Sequence, residues 1–165
     1  MESKIIDKEV IPFNDQKVVN GLFIMAVSHI PPHIGWICNN HYYSYSTRGV
    51  IIKLPLKDQI RKVALINIPS VIIDLSNEIG EDASKSCFQN LGVLGYGDSC
   101  LRPINQLLDQ DVDLMLFELM EKIEDKILKV YDINAGIKGH LSIPVYSKEV
   151  VNANIEKHLG LVENK

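Results

Sequence analysis

"HIGWICNNHYYSYSTRGVIIKL", residues 33–54, decides how the chain is read. Apolar and aromatic residues run in three short blocks, and each gap between them carries turn chemistry. Asn39 and Asn40 suit a tight two-residue turn, because Asn tolerates positive φ. Gly49 supplies the permissive backbone of the next turn, in "TRG". Three strands joined this tightly imply an antiparallel meander. The first strand opens on an ionisable group, His33, directly behind Pro31 and Pro32.

Working outward, "VVNGLFIMAV" (18–27) is a further strand, and "SHIPP" interrupts it, since proline cannot donate to a central ladder. "VALINI" (63–68) reads as another strand, set off by the polar "KDQIRK" (57–62). Beyond Ser70, a plausible N-cap, the pattern turns helical. "VIIDLSNEIGEDASKSCFQNLG" carries Ile72, Leu75 and Ile79 at helical spacing, with a weak point at Gly80. "SCLRPINQLL" places Leu101, Ile104, Leu107 and Leu108 in the same way. "DVDLMLFELMEKIEDKILKVY" (111–131) gives the longest helical stripe, from Val112 to Val130. Asp111 and Asp113 would sit at its positive end and Lys126 and Lys129 at its negative end. Glu118–Lys122 and Asp125–Lys129 have i,i+4 spacing. "HLSIPVYS" (140–147) reads as a last strand, and "KEVVNANIEKHL", stopped by Gly160, as a last helix. The expected class is α+β in one domain, 1–165, with a largely antiparallel sheet of about five to six strands packed against segregated helices.

Composition narrows the function. The chain has 165 residues, 46% of them apolar, and a net charge of −4, which permits a sizeable core. No Lys/Arg block stands out, so nucleic acid is not an expected partner. No apolar run is long enough for a membrane span, and the start lacks the apolar core of a secretory signal, so a cytoplasmic protein is expected. Three cysteines, Cys38, Cys87 and Cys100, with no C-x-x-C spacing, argue for reduced thiols over disulfides or zinc. Neither a metal nor a cofactor is called for: no Walker-type loop and no G-x-G-x-x-G occurs.

"VVNGLFIMAVSHIPPHIGWICNNHYYSYSTRGVIIKLPL" resembles the histidine-bearing half of papain-like NlpC/P60 hydrolases. "GLFIM" stands where that family has a "GDLIF" strand, and "HIGWI" where it has "H-[IV]-G-[IWF]-x". A circularly permuted branch puts histidine first and cysteine later at a helix N-terminus, and "GYGDSCLRPINQLL" is similar to that second motif. The resemblance implies a papain-like fold in permuted order. It also implies Cys100 as nucleophile, His33 as proton carrier, and an orienting residue in "YYSYS", where Tyr45 or Ser46 is available.

Physical chemistry states what those roles need. A helix N-terminus and a nearby imidazolium both lower a thiol's pKa from about 8.5. Cys100 gains the first effect if Ser99 or Asp98 caps a helix, and Pro103 is then harmless in the first turn. If Pro103 is itself the first helical residue, Cys100 lies in the loop. Backbone N–H groups from Ser99 to Leu101 would supply an oxyanion hole. His41 and His140, on expected strands, are alternative partners for the thiol, whereas His29 and His158 read as surface residues. Cys38 and Cys87 read as small core residues, and Tyr42, Tyr43 and Tyr45 as half-buried sheet residues.

Three functions follow as expectations. The first is a thiol hydrolase or acyltransferase acting on an amide, thioester or ester, with a small amide or ester or a peptide as substrate. The second is a non-catalytic, acidic, protein-binding module whose ligand is a protein partner. The third is a self-associating protein using Leu114, Met115 and Phe117, which lie off the main helical stripe.

Overall fold

In the computed structural model, which describes residues 2–160, the meander forms as the turn chemistry requires. Strands β2 (Asn20–Met25), β3 (His33–Cys38), β4 (His41–Ser46) and β5 (Gly49–Pro55) pair antiparallel in succession. Asn39 and Asn40 both hold positive φ in the β3–β4 turn, and Gly49 does so after "TR". Around this unit stand β1 (Ser3–Pro12), β6 (Ser70–Leu75), β7 (Ile127–Asp132) and β8 (His140–Pro144). They complete one eight-stranded sheet in the order β5-β4-β3-β2-β6-β7-β1-β8, in which only β1–β7 is parallel. The class is α+β, but the sheet is larger than expected and partly parallel.

Five helices cover both faces: α1 (Leu56–Leu65), α2 (Glu81–Phe88), α3 (Arg102–Leu107), α4 (Leu116–Ile123) and α5 (Lys148–Leu159). Side-chain alternation divides the core between them. Leu22, Ile24, Ile34, Trp36 and Cys38 pack with Phe88, Ile104, Leu119 and Ile155, on the side of α2 to α5. Phe23, Ile37, Tyr42 and Ile72 pack with Leu56 and Val63, on the side of α1.

Four expectations are corrected. "VALINI" is not a strand: α1 covers Val63 to Leu65, and its inward stripe is Leu56, Gln59 and Val63. The apolar Leu65 and Ile66 point to solvent. The segment after Ser70 starts as strand β6, with Val71, Ile72 and Ile73 all buried, and becomes helical only at Glu81. A central strand covered on both faces shows a continuous apolar run, which helical spacing can imitate. The long helix at 111–131 is confined to Leu116–Ile123; a 3-10 turn follows at Glu124–Lys126, and then β7. Val130 instead pairs across the sheet with Ile73 and Val10, so tertiary pairing overrides local helical preference there. The expected dipole partners Asp111, Asp113, Lys126 and Lys129 and the Asp125–Lys129 pair therefore lie outside any α-helix. Finally, no free apolar face exists at Leu114–Phe117: Met115 is buried, and Leu114 and Phe117 are partly so. The C-terminal helix ends as expected, with Gly160 in the left-handed conformation as its C-cap.

Candidate active site

His33 is the first residue of β3, and its cross-strand neighbour on β2 is Met25. Ile34, Trp36 and Cys38 point toward α2–α5, so alternation turns His33 toward α1. Tyr42 reaches the same place: Gly35 leaves room for its ring, where a Cβ would collide. The Tyr42 hydroxyl then meets Met25 Sδ at 3.7 Å.

The ladder between β3 and β4 ends early. It holds from Cys38–His41 to Trp36–Tyr43 and goes no further. In a two-residue hairpin the closing pair exchanges both hydrogen bonds, so the N–H groups of Cys38, Trp36 and Ile34 all face β4. Past Trp36 no β4 partner is left for the N–H of Ile34, and this backbone group acts on the Cys100 thiol in favour of its charged form. Cys100, which packs against the core on the α2–α5 side, lines the same cleft as His33 and Ile34.

That loop is held by side chains. Asp98 accepts hydrogen bonds from the Tyr45 hydroxyl (2.6 Å), from Arg102 Nε and Nη2 (2.6 and 2.7 Å) and from the Ser99 N–H (2.8 Å). Burial pushes the Asp98 carboxyl up, but these donors outweigh it and hold the carboxyl below its ordinary range. Arg102 also lies 6.0 Å from the Tyr45 ring centre. Leu101 is the N-cap of α3, Arg102 its first residue and Pro103 its second. Of the two alternatives for Pro103, the chain adopts one close to the second: Cys100 precedes the cap, and α3 is too short to lend it much dipole.

His33 and Cys100 line one cleft of about 370 Å³, together with Met115, Tyr146 and Ile155; Arg48 and His158 stand at its rim. Both reactive groups are held neutral. Burial pushes the Cys100 thiol up to about 11, helped by the charge of Asp98 and opposed by the N–H groups of Ile34 and of Cys100 itself. Burial, with the nearby charge of Lys62, pushes His33 down to about 4. Burial likewise pushes the Tyr146 and Tyr42 hydroxyls above the ordinary tyrosine range.

The other sequence candidates separate clearly. Tyr45 lines the cleft, but its hydroxyl is committed to Asp98; the Ser46 hydroxyl turns to the Gly49 carbonyl. Neither hydroxyl is hydrogen-bonded to His33 among the described residues. His41 caps its own hairpin through the Asn39 carbonyl, and His140 is exposed on β8, both outside the cleft. Cys38 is buried and points to the Ile79 carbonyl, and Cys87 is half-buried on α2. Asp98 reads from its position before Ser99 as at most a cap, and its i,i+4 spacing to Arg102 is the local signal of an anchor. Met115 and Tyr146 have no sequence signal, because they reach the cleft only through tertiary packing.

Among the described residues no group of three or more His, Cys, Asp or Glu could hold a metal ion, and no helix is long and apolar enough to cross a membrane. Comparison with protein-family models, curated proteins and solved structures returns no match.

Proposed function

We propose that the protein is a thiol hydrolase or acyltransferase of the permuted NlpC/P60, papain-like type, acting on an amide, thioester or ester. One observation carries this reading: Cys100 and His33, distant in sequence, line one cleft. The resting pair is a neutral thiol and a neutral imidazole, so the chemistry is general-base attack with no preformed ion pair. The sulfur bonds to the carbonyl carbon as its proton passes to His33. The imidazolium then protonates the leaving amine, thiol or alcohol, and the C–N, C–S or C–O bond breaks. Water, or an acceptor nucleophile, gives its proton to His33 and bonds to the acyl carbon; the C–S bond breaks, and the imidazolium returns the proton to the Cys100 sulfur. The cleft wall of Met115, Tyr146 and Ile155 suits an apolar acyl part. Three free cysteines suit a reducing compartment such as the cytoplasm.

Incubation with a p-nitrophenyl ester, followed by intact-protein mass spectrometry, tests it. An acyl adduct on Cys100 that forms faster than on Cys87, and slows at least roughly 100-fold in His33→Ala, is expected. Equal labelling of the two cysteines, with no effect of His33→Ala, removes the reading. The protein-binding module is the second reading, and the engagement of Tyr45 and Ser46 elsewhere favours it, since neither hydroxyl orients His33.

A further inference from the structure

On the α1 side of the sheet, a buried polar cluster adjoins His33. Gln59 projects from α1, is 1% exposed, and brings its Nε2 to 3.1 Å from Met25 Sδ. Met25 is the cross-strand neighbour of His33, and the Tyr42 hydroxyl donates to the same sulfur. One turn beyond Gln59, Lys62 is near enough for its charge to act on the imidazole. Among the described residues the other amide atom of Gln59, Oε1, has no hydrogen-bond partner. A buried carbonyl oxygen without a donor is uncommon and calls for an explanation. Two loose ends therefore meet around Met25: an acceptor without a donor, and an imidazole with no orienting residue on β4.

We propose that Gln59 is the positioning residue for His33, its side-chain carbonyl accepting a ring N–H so that the other ring nitrogen is left free to take the Cys100 proton. The inference rests on the thiol-acyl-transfer reading. Methionine is the adaptable member of the cluster, with three rotatable bonds that let its sulfur give way as the ring turns inward. A neutral amide also matches the neutral imidazole of this site. A carboxylate in its place would favour the charged ring. The remaining charged or titratable groups around His33 are Lys62 on α1, Tyr42 and Tyr45 on β4, Cys100, Tyr146 in the cleft wall, and Arg48 and His158 at the cleft rim.

Nitrogen-15 NMR of the full chain tests this, with the His33 signals assigned by their loss in His33→Gln. The wild type is expected to show one dominant His33 tautomer. Gln59→Met, which keeps the volume and removes the acceptor, is expected to mix the tautomers and to slow Cys100 acylation roughly 10- to 100-fold with KM unchanged. Gln59→Glu, which keeps the shape and adds charge, is expected to raise the His33 titration midpoint by about one pH unit or more. An unchanged tautomer ratio in Gln59→Met, or an unchanged midpoint in Gln59→Glu should the first variant not fold, overturns the proposal. If the ring responds and Cys100 never acylates, the positioning role stands and the thiol reading falls. If Cys100 acylates and the ring ignores Gln59, only the positioning role falls.

Discussion

The two walls of the cleft are built differently. His33 is carried by a strand paired residue by residue with β2 from His33 to Cys38, and its place follows from backbone hydrogen bonds. Cys100 is carried by a loop, and its place follows from one carboxylate, Asp98, that gathers Tyr45, Arg102 and the Ser99 N–H. Ladder bonds resist single substitutions because they belong to the main chain. A side-chain anchor concentrates the same task in a few atoms, so this wall is easier to loosen without unfolding the protein.

The largest effect is expected where the ladder wall loses its packing. Trp36 is fully buried, and its indole N–H donates to Ser84 Oγ at 2.9 Å. Trp36→Ala should cost about 3–5 kcal/mol by denaturant unfolding, while Cys100 substitutions cost far less. A Trp36→Ala cost below about 1 kcal/mol would show that β3 is not the rigid wall.

Titration separates the walls next. The ordinary His value is 6.5 and the folded His33 sits near 4, so between these the unfolded chain binds the extra proton. Stability should therefore be complete above about 6.5 and fall as pH drops toward 4, by about 3 kcal/mol at most. Cys100 acts at the other end: its thiol is raised from 9.0 to about 11, so stability should fall as pH rises through that window. Unfolding curves of His33→Gln should lose the acid limb and those of Cys100→Ser the alkaline limb. Unchanged limbs would mean that neither group is desolvated as described.

Smaller effects probe the anchor. Asp98→Ala should cost about 2 kcal/mol and, by freeing the loop to solvent, raise the rate of Cys100 alkylation at pH 8, measured with iodoacetamide. Tyr45→Phe removes a single hydrogen bond, about 1 kcal/mol, and should raise alkylation less. A larger effect from Tyr45→Phe than from Asp98→Ala would reverse the assignment of the anchor.

The ladder wall was also the legible one. Asn39, Asn40 and Gly49 announce their turns through backbone preference alone, and the blocks between them alternate. The resemblance led to His33 and Cys100 by residue type, and the two line one cleft. Elsewhere, local pattern and tertiary pairing disagree. Ile127 and Val130 stand three apart, as on a helix, yet β6 and β1 draw that segment into the sheet. Gln59 interrupts the apolar stripe of α1, so an inward-facing helix looked like a polar spacer. Asp98 could be seen as a cap, but its grip on Tyr45 joins residues 53 positions apart, and no local spacing encodes that.

A double-mutant cycle on p-nitrophenyl ester turnover tests most directly whether His33 and Cys100 act as one unit. Cys100→Ala, His33→Ala and the double variant are expected to lose rate to nearly the same residual level, because either loss alone disables the pair. Losses that multiply in the double variant, or a His33→Ala variant as fast as the wild type, would contradict this coupling.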